Sequence, residues 1–204
     1  SAVVAGAAAS MLLLAGCASS QPVATPTATS AVDAAAAALV PDQYKAGVSV
    51  ASDIPYAPME LFDENDNPTG FDYDLSQAIA GKLGVPFKFE DQDWDGIIPS
   101  LQSGTHDIIM SGMNDTVERQ ANLDYVDYFK GGFSIVVAKG NPNKVASLLD
   151  LCGQPVTIQK ATVQGDMLKA LTPQCTAAGK KAVIINEYPS DPEALNALRA
   201  GKGV

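Results

Sequence analysis

The sequence predicts an α/β protein that folds as two lobes. From about residue 47, short apolar strand patterns alternate with helical patterns in the order β-α-β-α-β, which is typical of a doubly wound parallel sheet. A second alternation of the same kind follows a break in the pattern at residues 139–143. In such sheets ligands bind outside the carboxyl ends of the strands, so two lobes of this type can face each other across a cleft.

The N-terminus has the pattern of an export signal. Residues 2–15 are almost wholly small or apolar, and about fifteen such residues are too few to span a bilayer, which takes roughly 20. The run ends at Leu14-Ala-Gly-Cys17, which resembles the lipobox of bacterial lipoproteins, in which the cysteine takes a lipid and becomes the mature N-terminus. The alternative is a cysteine that follows an apolar run by chance.

We therefore predict a signal peptide over residues 1–17, a lipidated Cys17 and an extracytoplasmic protein anchored to the cell membrane. We expect the sequence to begin inside that signal, because no basic leader precedes the apolar run. Residues 18–43 are rich in Ala, Ser, Thr and Pro, which is the composition of a flexible tether. The lobes are then expected at residues 44–137 and 138–204.

Charge and composition exclude one class of partner. A net charge of −10 and a pI near 4.4 exclude a nucleic-acid partner, since phosphate binding requires a basic face. The 47% apolar and 18% charged residues are typical of a soluble globular protein.

The sequence has three cysteines, of which one lies at the end of the predicted signal and two lie in the predicted second lobe. With Cys17 lipidated, Cys152 and Cys175 remain as an even pair in an exported protein, which favours a disulfide. Two free buried thiols are the alternative.

The first lobe is predicted element by element from periodicity and turn residues. Asp74 is predicted to cap the first helix of this lobe, with Gln77 completing a capping box and Gly84 ending the helix. The predicted strands are 48–52, 85–90 and 107–110, and a further helix is predicted over 96–103.

The second lobe is predicted in the same way. Strands are expected at 133–138, 156–158 and 182–185, and helices at 144–151, from about 163 to 171, and at 191–199. Residues 201–204 resemble the start of another strand, so we expect this lobe to be incomplete.

The stretch 107–119 carries the first candidate site. It predicts a buried strand, a polar turn and a helix that opens at Thr116, with Arg119 three residues further on. Free N–H groups at a helix start and a planar guanidinium together suit a carboxylate. An alternative is that Arg119, beside Asp115 and Glu118, is a solvated surface residue. The convergence of Asp53, Trp94 and Ser111 at the same strand ends favours the site.

These residues suit a small zwitterion. Arg119 and the amides near Asn114 and Thr162 would bind a carboxylate, and carbonyl groups near Ser111 would bind an ammonium. Tyr56 and Trp94 would stack on a side chain. The alternative for both aromatic residues is a place in the rim or the core.

Catalytic and metal motifs are sparse. His106, the single histidine, has no cysteine or carboxylate cluster around it in the sequence. Asp91, Asp93 and Asp95 alternate around Trp94, but the glycine and glutamate of a calcium loop are not in place. We predict no metal, no cofactor and no enzymatic activity.

Several stretches occur in a characteristic order over most of residues 47–204: Tyr56-Ala-Pro58, Gly70-Phe-Asp-Tyr-Asp-Leu75, Trp94-Asp-Gly-Ile-Ile-Pro99, Gly104 with Asp107-Ile-Ile-Met-Ser-Gly-Met113, Thr116-Val-Glu-Arg119 and residues 159–162. With these stretches, residues 47–204 resemble the solute-binding proteins of bacterial ABC importers for polar amino acids, the family 3 type. The resemblance implies the two-lobed type II fold of periplasmic binding proteins, with the second lobe truncated here. It also implies a monomer whose partners are an amino acid and the membrane permease.

The resemblance assigns roles within the predicted cleft. It implies that Arg119 binds the α-carboxylate with backbone help from Asn114 and Thr162, and that Ser111 and Gly112 serve the α-amino end. Tyr56, Trp94 and Asp53 would complete the pocket. Gly112 stands where a serine is common, Lys160-Ala161 where Gly-Thr is usual and Met59 where Phe is usual, so the side-chain preference stays open. The family's ammonium-binding acid would lie beyond Val204.

Two other functions share this fold. A periplasmic dehydratase would need a cleft acid that protonates a leaving hydroxyl, and no residue of the predicted cleft obviously serves. A sensor ectodomain would need a transmembrane helix downstream.

Overall fold

A computed structural model describes residues 31–204. The predicted signal peptide, Cys17 and residues 18–30 of the predicted tether lie outside the described residues. The helices and strands, in chain order, are α1 (Ala34–Ala37), β1 (Val48–Ser52), β2 (Leu61–Phe62), β3 (Pro68–Thr69), α2 (Phe71–Leu83), β4 (Phe87–Asp91), α3 (Trp94–Gln102), β5 (Ile108–Ile109), α4 (Val117–Gln120), β6 (Pro155–Gln159), α5 (Val163–Ala177), β7 (Ile184–Tyr188) and α6 (Asp191–Arg199). Short 3-10 turns lie at Asp42–Tyr44 and Leu148–Leu151.

The first lobe is built on a parallel sheet with β1 in its centre. The strand order is β4-β1-β5, and Val50 of β1 lies opposite Phe89 and Ile108 of its two neighbours. Val50 is fully buried in a core that Val85 and Met110 complete. The β-α-β-α-β order predicted for this lobe is confirmed.

The start of α2 differs from its prediction. The helix begins at Phe71 after Gly70, four residues earlier than an Asp74 cap would place it. The amides of Phe71 and Asp72 donate to the carbonyls of Pro58 and Met59, so backbone rather than a side chain satisfies the first turn. A Cβ on Gly70 would lie 2.5 Å from the Met59 carbonyl oxygen, which explains the glycine.

The second lobe has a two-stranded parallel sheet, β6-β7, packed against α5 and α6. Its core contains Leu151, Leu168 and Leu171 together with the two cysteines. Cys152 and Cys175 form a disulfide with Cα atoms 5.5 Å apart, which confirms the predicted bridge. The backbone N–H of Val204 donates to the Pro155 carbonyl, beside the start of β6.

Two predictions for residues 133–151 are wrong. Residues 133–138 form no strand, because no strand in the part of the chain described here pairs with their apolar alternation. The helix predicted over 144–151 reduces to the 3-10 turn, since Asn141 and Lys144 adopt positive φ angles of 46° and 52°. The Asn141 side chain also binds both the amide and the carbonyl of Val145, which fixes a loop there.

The last part of the predicted tether contacts the first lobe. Helix α1 packs on α2, and the Asp33 amide donates to the Lys82 carbonyl at 2.8 Å. Within residues 31–204, no helix is both long and apolar enough to cross a membrane.

Candidate ligand-binding cleft

A cleft of about 850 Å³ lies between the lobes, outside the carboxyl ends of β1 and β6. Seven of the eight residues predicted to bind ligand line it: Asp53, Tyr56, Trp94, Ser111, Gly112 and Asn114 from the first lobe, and Thr162 from the second. The eighth, Arg119, lines a neighbouring cavity of about 480 Å³. The convergence expected from the strand ends is therefore present in the fold.

Arg119 reaches both lobes. Its Nη1 donates to the Asn114 carbonyl at 3.0 Å, and its Nη2 donates to the Ala161 carbonyl of the second lobe at 3.4 Å. Its guanidinium carbon lies 5.5 Å from the centre of the Trp94 ring. Thr116 caps the short helix α4, as predicted, by accepting from the Arg119 amide. A guanidinium has five N–H donors, so these contacts leave donors for an anion.

Ser111 and Gly112 are bound to carboxyl groups of the protein. The buried Ser111 hydroxyl donates to Glu60 Oε1 at 2.5 Å and accepts from the Asp53 amide at 2.9 Å. The Gly112 amide donates to Asp72 Oδ2 at 2.7 Å. The resemblance implied that these two residues serve the ligand's amino end, whereas here the hydroxyl and the amide fix the loop that holds them.

Gly112 has a steric reason to lack a side chain. Its φ is +52°, and an added Cβ would lie 3.0 Å from the Tyr56 ring. The glycine that replaces the usual serine thus lets the aromatic ring approach the loop.

Glu60 and Asp72 are fully buried beneath this loop, and sequence reasoning missed both. The pKa of Glu60 is raised to about 9, chiefly by burial; the hydrogen bond from the Ser111 hydroxyl opposes the shift and the nearby Asp72 charge adds to it. Burial also raises the pKa of Asp72, against the hydrogen bond from Gly112. One sequence feature could have pointed to these two buried carboxyl groups: Asp72 lies within a stretch that carries the family resemblance.

Trp94 and Asp53 connect the lobes. The Trp94 indole N–H donates to the Ala161 carbonyl at 2.9 Å, and Gln159 Nε2 donates to Asp53 Oδ2 at 2.7 Å. Burial raises the pKa of Asp53, and the bond from Gln159 opposes that shift. Lys160 pairs with Asp95 Oδ2 at 2.5 Å in a third link across the cleft. The lobes therefore touch through consecutive residues 159–161.

Asp191 is a further cleft residue that sequence reasoning placed only in a helix. It is the first residue of α6, after the Ser190 cap, and it lines the cleft. Burial raises its pKa. Among residues 31–204, Asp53 and Asp191 are the charged side chains that line this cleft, and both are acidic. A Ser-Asp-Pro helix start was the visible signal, but it indicates a cap rather than a site.

Comparison with known proteins identifies the family. Residues 48–201 match the family model of bacterial extracellular solute-binding proteins, family 3. The chain belongs to this family. Its predicted fold class, an α/β two-lobed type II periplasmic-binding-protein fold, is confirmed by solved structures of amino-acid-binding proteins.

The relatives of this chain include proteins named for binding arginine. The chain is 34% identical over 149 residues to the arginine-binding protein ArgT of Corynebacterium glutamicum, covering 72% of this chain and 49% of that protein. It is 34% identical over 119 residues to the arginine-binding extracellular protein ArtP of Bacillus subtilis, covering 58% and 46%. The chain thus spans about half the length of the curated relatives it matches.

Solved structures of amino-acid-binding proteins are also similar to this chain. An ancestral arginine-binding protein bound to arginine is 38% identical, with a TM-score of 0.69 over 76% of this chain and 66% of that chain. The ancestral amino acid-binding protein AncCDT-1, a precursor of cyclohexadienyl dehydratase, is 36% identical with a TM-score of 0.69 over the same shares.

One constellation in this family 3 chain resembles a catalytic triad but is structural. The buried His106 Nδ1 lies 2.9 Å from Ser100 Oγ, and its Nε2 lies 3.5 Å from Glu90 Oε2. Ser100 Oγ already donates its proton to the Ile97 carbonyl of the same helix at 2.7 Å, so His106 does not receive that proton as the base of a triad would. Within residues 31–204, no group of three or more His, Cys, Asp or Glu side chains is placed to hold a metal ion.

Proposed function

We propose that this chain is the substrate-binding component of a bacterial ABC transporter. It captures a polar amino acid in the cleft between its lobes and delivers it to a membrane permease. The observation that carries this proposal is the convergence of polar and aromatic residues from both lobes on one cleft, in a chain of the family 3 solute-binding proteins. A ligand held by both lobes stabilises the closed form, which a permease can distinguish from the open form.

The α-carboxylate would bind where the two lobes meet. Helix α5 has 15 residues and begins at Val163 after Thr162, and its first N–H groups favour an anion. The Thr162 hydroxyl donates to the Gln159 carbonyl, so the backbone rather than this hydroxyl supplies the donors. Arg119 would exchange its long bond to the Ala161 carbonyl for the carboxylate and add charge to the same end of the ligand.

A cationic amino acid is the favoured ligand class. The relatives ArgT and ArtP are named as arginine-binding proteins, and a probable histidine-binding protein of Neisseria gonorrhoeae is 39% identical over 120 residues. The acidic cleft supports the same class, because Asp53 and Asp191 are the charged side chains that line it within residues 31–204, and both attract a cation.

Family members are extracellular or periplasmic proteins, and this chain shares that location. We propose that residues 1–17 are the signal peptide, that a lipid on Cys17 anchors the protein, and that residues 18–43 act as the tether. The lobes are residues 44–137 and 138–204 in this proposal, and the protein acts as a monomer.

Calorimetry on the purified protein tests the function. Titration with arginine, lysine, histidine and glutamine is expected to give binding of at least one of them. Arg119→Ala is expected to weaken that binding by roughly 2–5 kcal/mol, because it removes a charge-assisted contact to the carboxylate. Arg199→Ala, at the exposed end of α6, is the matched control and should bind as the wild type does.

Two results would contradict the proposal. The first is a wild-type protein that binds none of these amino acids, and the second is undiminished binding by Arg119→Ala. The likeness to AncCDT-1 makes a dehydratase-like enzyme the second candidate. Turnover of a prephenate-like acid by the purified protein would favour that candidate instead.

A further inference from the structure

The charge of the cleft is concentrated on Asp53 and Asp191. Of these, Asp53 already has a partner, since Gln159 donates to its Oδ2 at 2.7 Å from the other lobe. Asp95 lies near the cleft but forms an ion pair with Lys160. The carboxylates of Asp53 and Asp95 therefore already take part in contacts that join the two lobes.

Asp191 differs from both. Asp191 is only partly desolvated and the residue remains exposed at the cleft, and no hydrogen bond or salt bridge within residues 31–204 involves its carboxylate. An unpaired carboxylate at the wall of a cleft attracts a cation that enters the same space. Asp191 is therefore available to pair with a positive group in a cleft of about 850 Å³.

The surroundings of Asp191 define the shape of that cation. Tyr56 of the first lobe lines the same cleft; burial raises the pKa of its phenol, and the Asp191 charge adds to that shift. A guanidinium or ammonium between them would meet a carboxylate from one lobe and an aromatic face from the other. Arg119 lines the neighbouring cavity, and we assign it, with the start of α5, to the α-carboxylate rather than to the ligand's side chain.

We propose that Asp191 is the residue that selects a cationic side chain, by pairing with the terminal guanidinium or ammonium of the bound amino acid. This inference rests on the proposed function, because it assigns one end of the ligand in the same cleft. It also makes the second lobe contribute to specificity, so a cationic side chain draws α6 toward Tyr56 as the cleft closes.

Arginine and citrulline separate this role from others. Citrulline has nearly the shape of arginine and the same α-groups, but its terminal urea is neutral. In calorimetry, wild-type protein is expected to bind arginine at least about tenfold more tightly than citrulline. Asp191→Asn is expected to lower arginine affinity by about 10- to 100-fold and to change citrulline affinity by less than about threefold.

Matched variants exclude a general effect of charge or folding. Glu193→Gln removes the same charge from the first turn of α6, at a side chain that does not line the cleft, and should keep the arginine preference. Asp191→Glu keeps the charge and should retain most of the preference even if Asp191→Asn folds poorly. Thermal unfolding of each variant identifies any loss of fold.

Several results would overturn the inference while the proposed function stands. Equal losses for arginine and citrulline in Asp191→Asn would assign this carboxylate to the α-ammonium. Unchanged arginine binding, or a wild type that binds glutamine and no cationic amino acid, would remove Asp191 from side-chain selection. Failure of every amino acid to bind wild-type protein would overturn the function itself.

Discussion

Two fully buried carboxyl groups, Glu60 and Asp72, hold the loop that carries Ser111 and Gly112. Glu60 Oε2 and Asp72 Oδ1 have no hydrogen-bond partner within residues 31–204. Two ionised carboxylates at this depth would repel each other and lose hydration. The loop is therefore most stable when Glu60 holds a proton, which links the cleft to pH.

Glu60 predicts a specific dependence of stability on pH. Its pKa rises from the usual 4.5 to about 9 in the folded protein, so the unfolded chain releases this proton first. Its stabilising contribution is full below about pH 4.5 and is lost as pH rises through about 9. Between these limits we expect the unfolding free energy to fall by up to about 1.4 kcal/mol per pH unit.

Glu60→Gln tests this dependence, because an amide keeps the shape and cannot ionise. Urea unfolding at pH 5 to 8 is expected to show that the variant gains stability relative to wild type as pH rises. Glu64→Gln, in an exposed turn, is the control and should keep the wild-type slope. Parallel slopes for wild type and Glu60→Gln would show that this carboxyl does not govern the pH response.

Residues of the cleft differ in how far the sequence reveals them. Tyr56, Trp94 and Thr162 follow predicted strands, and the rule that ligands bind at strand ends was enough to bring them together. Glu60 and Asp191 could not be found in that way. An acidic residue is solvated by default, and its burial depends on contacts with residues distant in the chain.

At the scale of elements, residues 159–161, which run from the last residue of β6 into the turn before α5, are the main link between the lobes. Gln159, Lys160 and Ala161 each contact the first lobe. Ala161 has a φ of +57°, and its carbonyl accepts from both Trp94 and Arg119. Lys160-Ala161 stands where Gly-Thr is usual in the family, so the ion pair of Lys160 with Asp95 depends on a residue specific to this chain.

The Lys160–Asp95 pair is expected to favour closure of the lobes. Both side chains are partly exposed, with 38% and 46% of their surface accessible, so the contribution is modest and screened by salt. We expect Lys160→Ala and Asp95→Ala each to weaken ligand binding by about two- to fivefold at low salt. The double variant should lose no more than either single one.

A pair within one lobe provides the control for this cycle. Lys169 and Asp166 lie one turn apart in α5 at 3.7 Å, and Lys169→Ala should leave affinity unchanged. Calorimetry in about 20 mM and 500 mM salt would show the effect of Lys160→Ala fading with ionic strength. Additive losses in the double variant, or equal losses for Lys169→Ala, would mean that the pair does not act across the cleft.

Elements were predictable where local pattern and tertiary partners agree. Strand β1 and helix α6 were predicted at their observed bounds, because alternating residue types in the sequence and a Ser190 cap specify them locally. The strand predicted at 133–138 has the right alternation and no neighbour within the described chain to complete its hydrogen bonds. Pattern alone cannot supply that partner.

At the scale of the whole molecule, residues 31–204 contain a hydrophobic core in each lobe, and polar contacts join the lobes. The first-lobe core is formed around Val50, and the second-lobe core contains Leu151, Leu168 and the disulfide. The links across the cleft described above are hydrogen bonds and an ion pair. Such an interface allows one lobe to be destabilised, or to unfold locally, while the other lobe stays folded.

The disulfide is therefore expected to stabilise the second lobe alone. Cys152 and Cys175 are 23 positions apart, and closing that loop is worth about 3 kcal/mol in the chain-entropy model. In the Cys152→Ala/Cys175→Ala variant, hydrogen exchange should accelerate in β6, α5 and β7 and stay unchanged in β1 and β4. Reductant supplies the control: it should reproduce this pattern in wild type and add nothing to the variant. Equal acceleration in both lobes would instead mean that the molecule unfolds as one cooperative unit, with the polar contacts at residues 159–161 coupling its two cores.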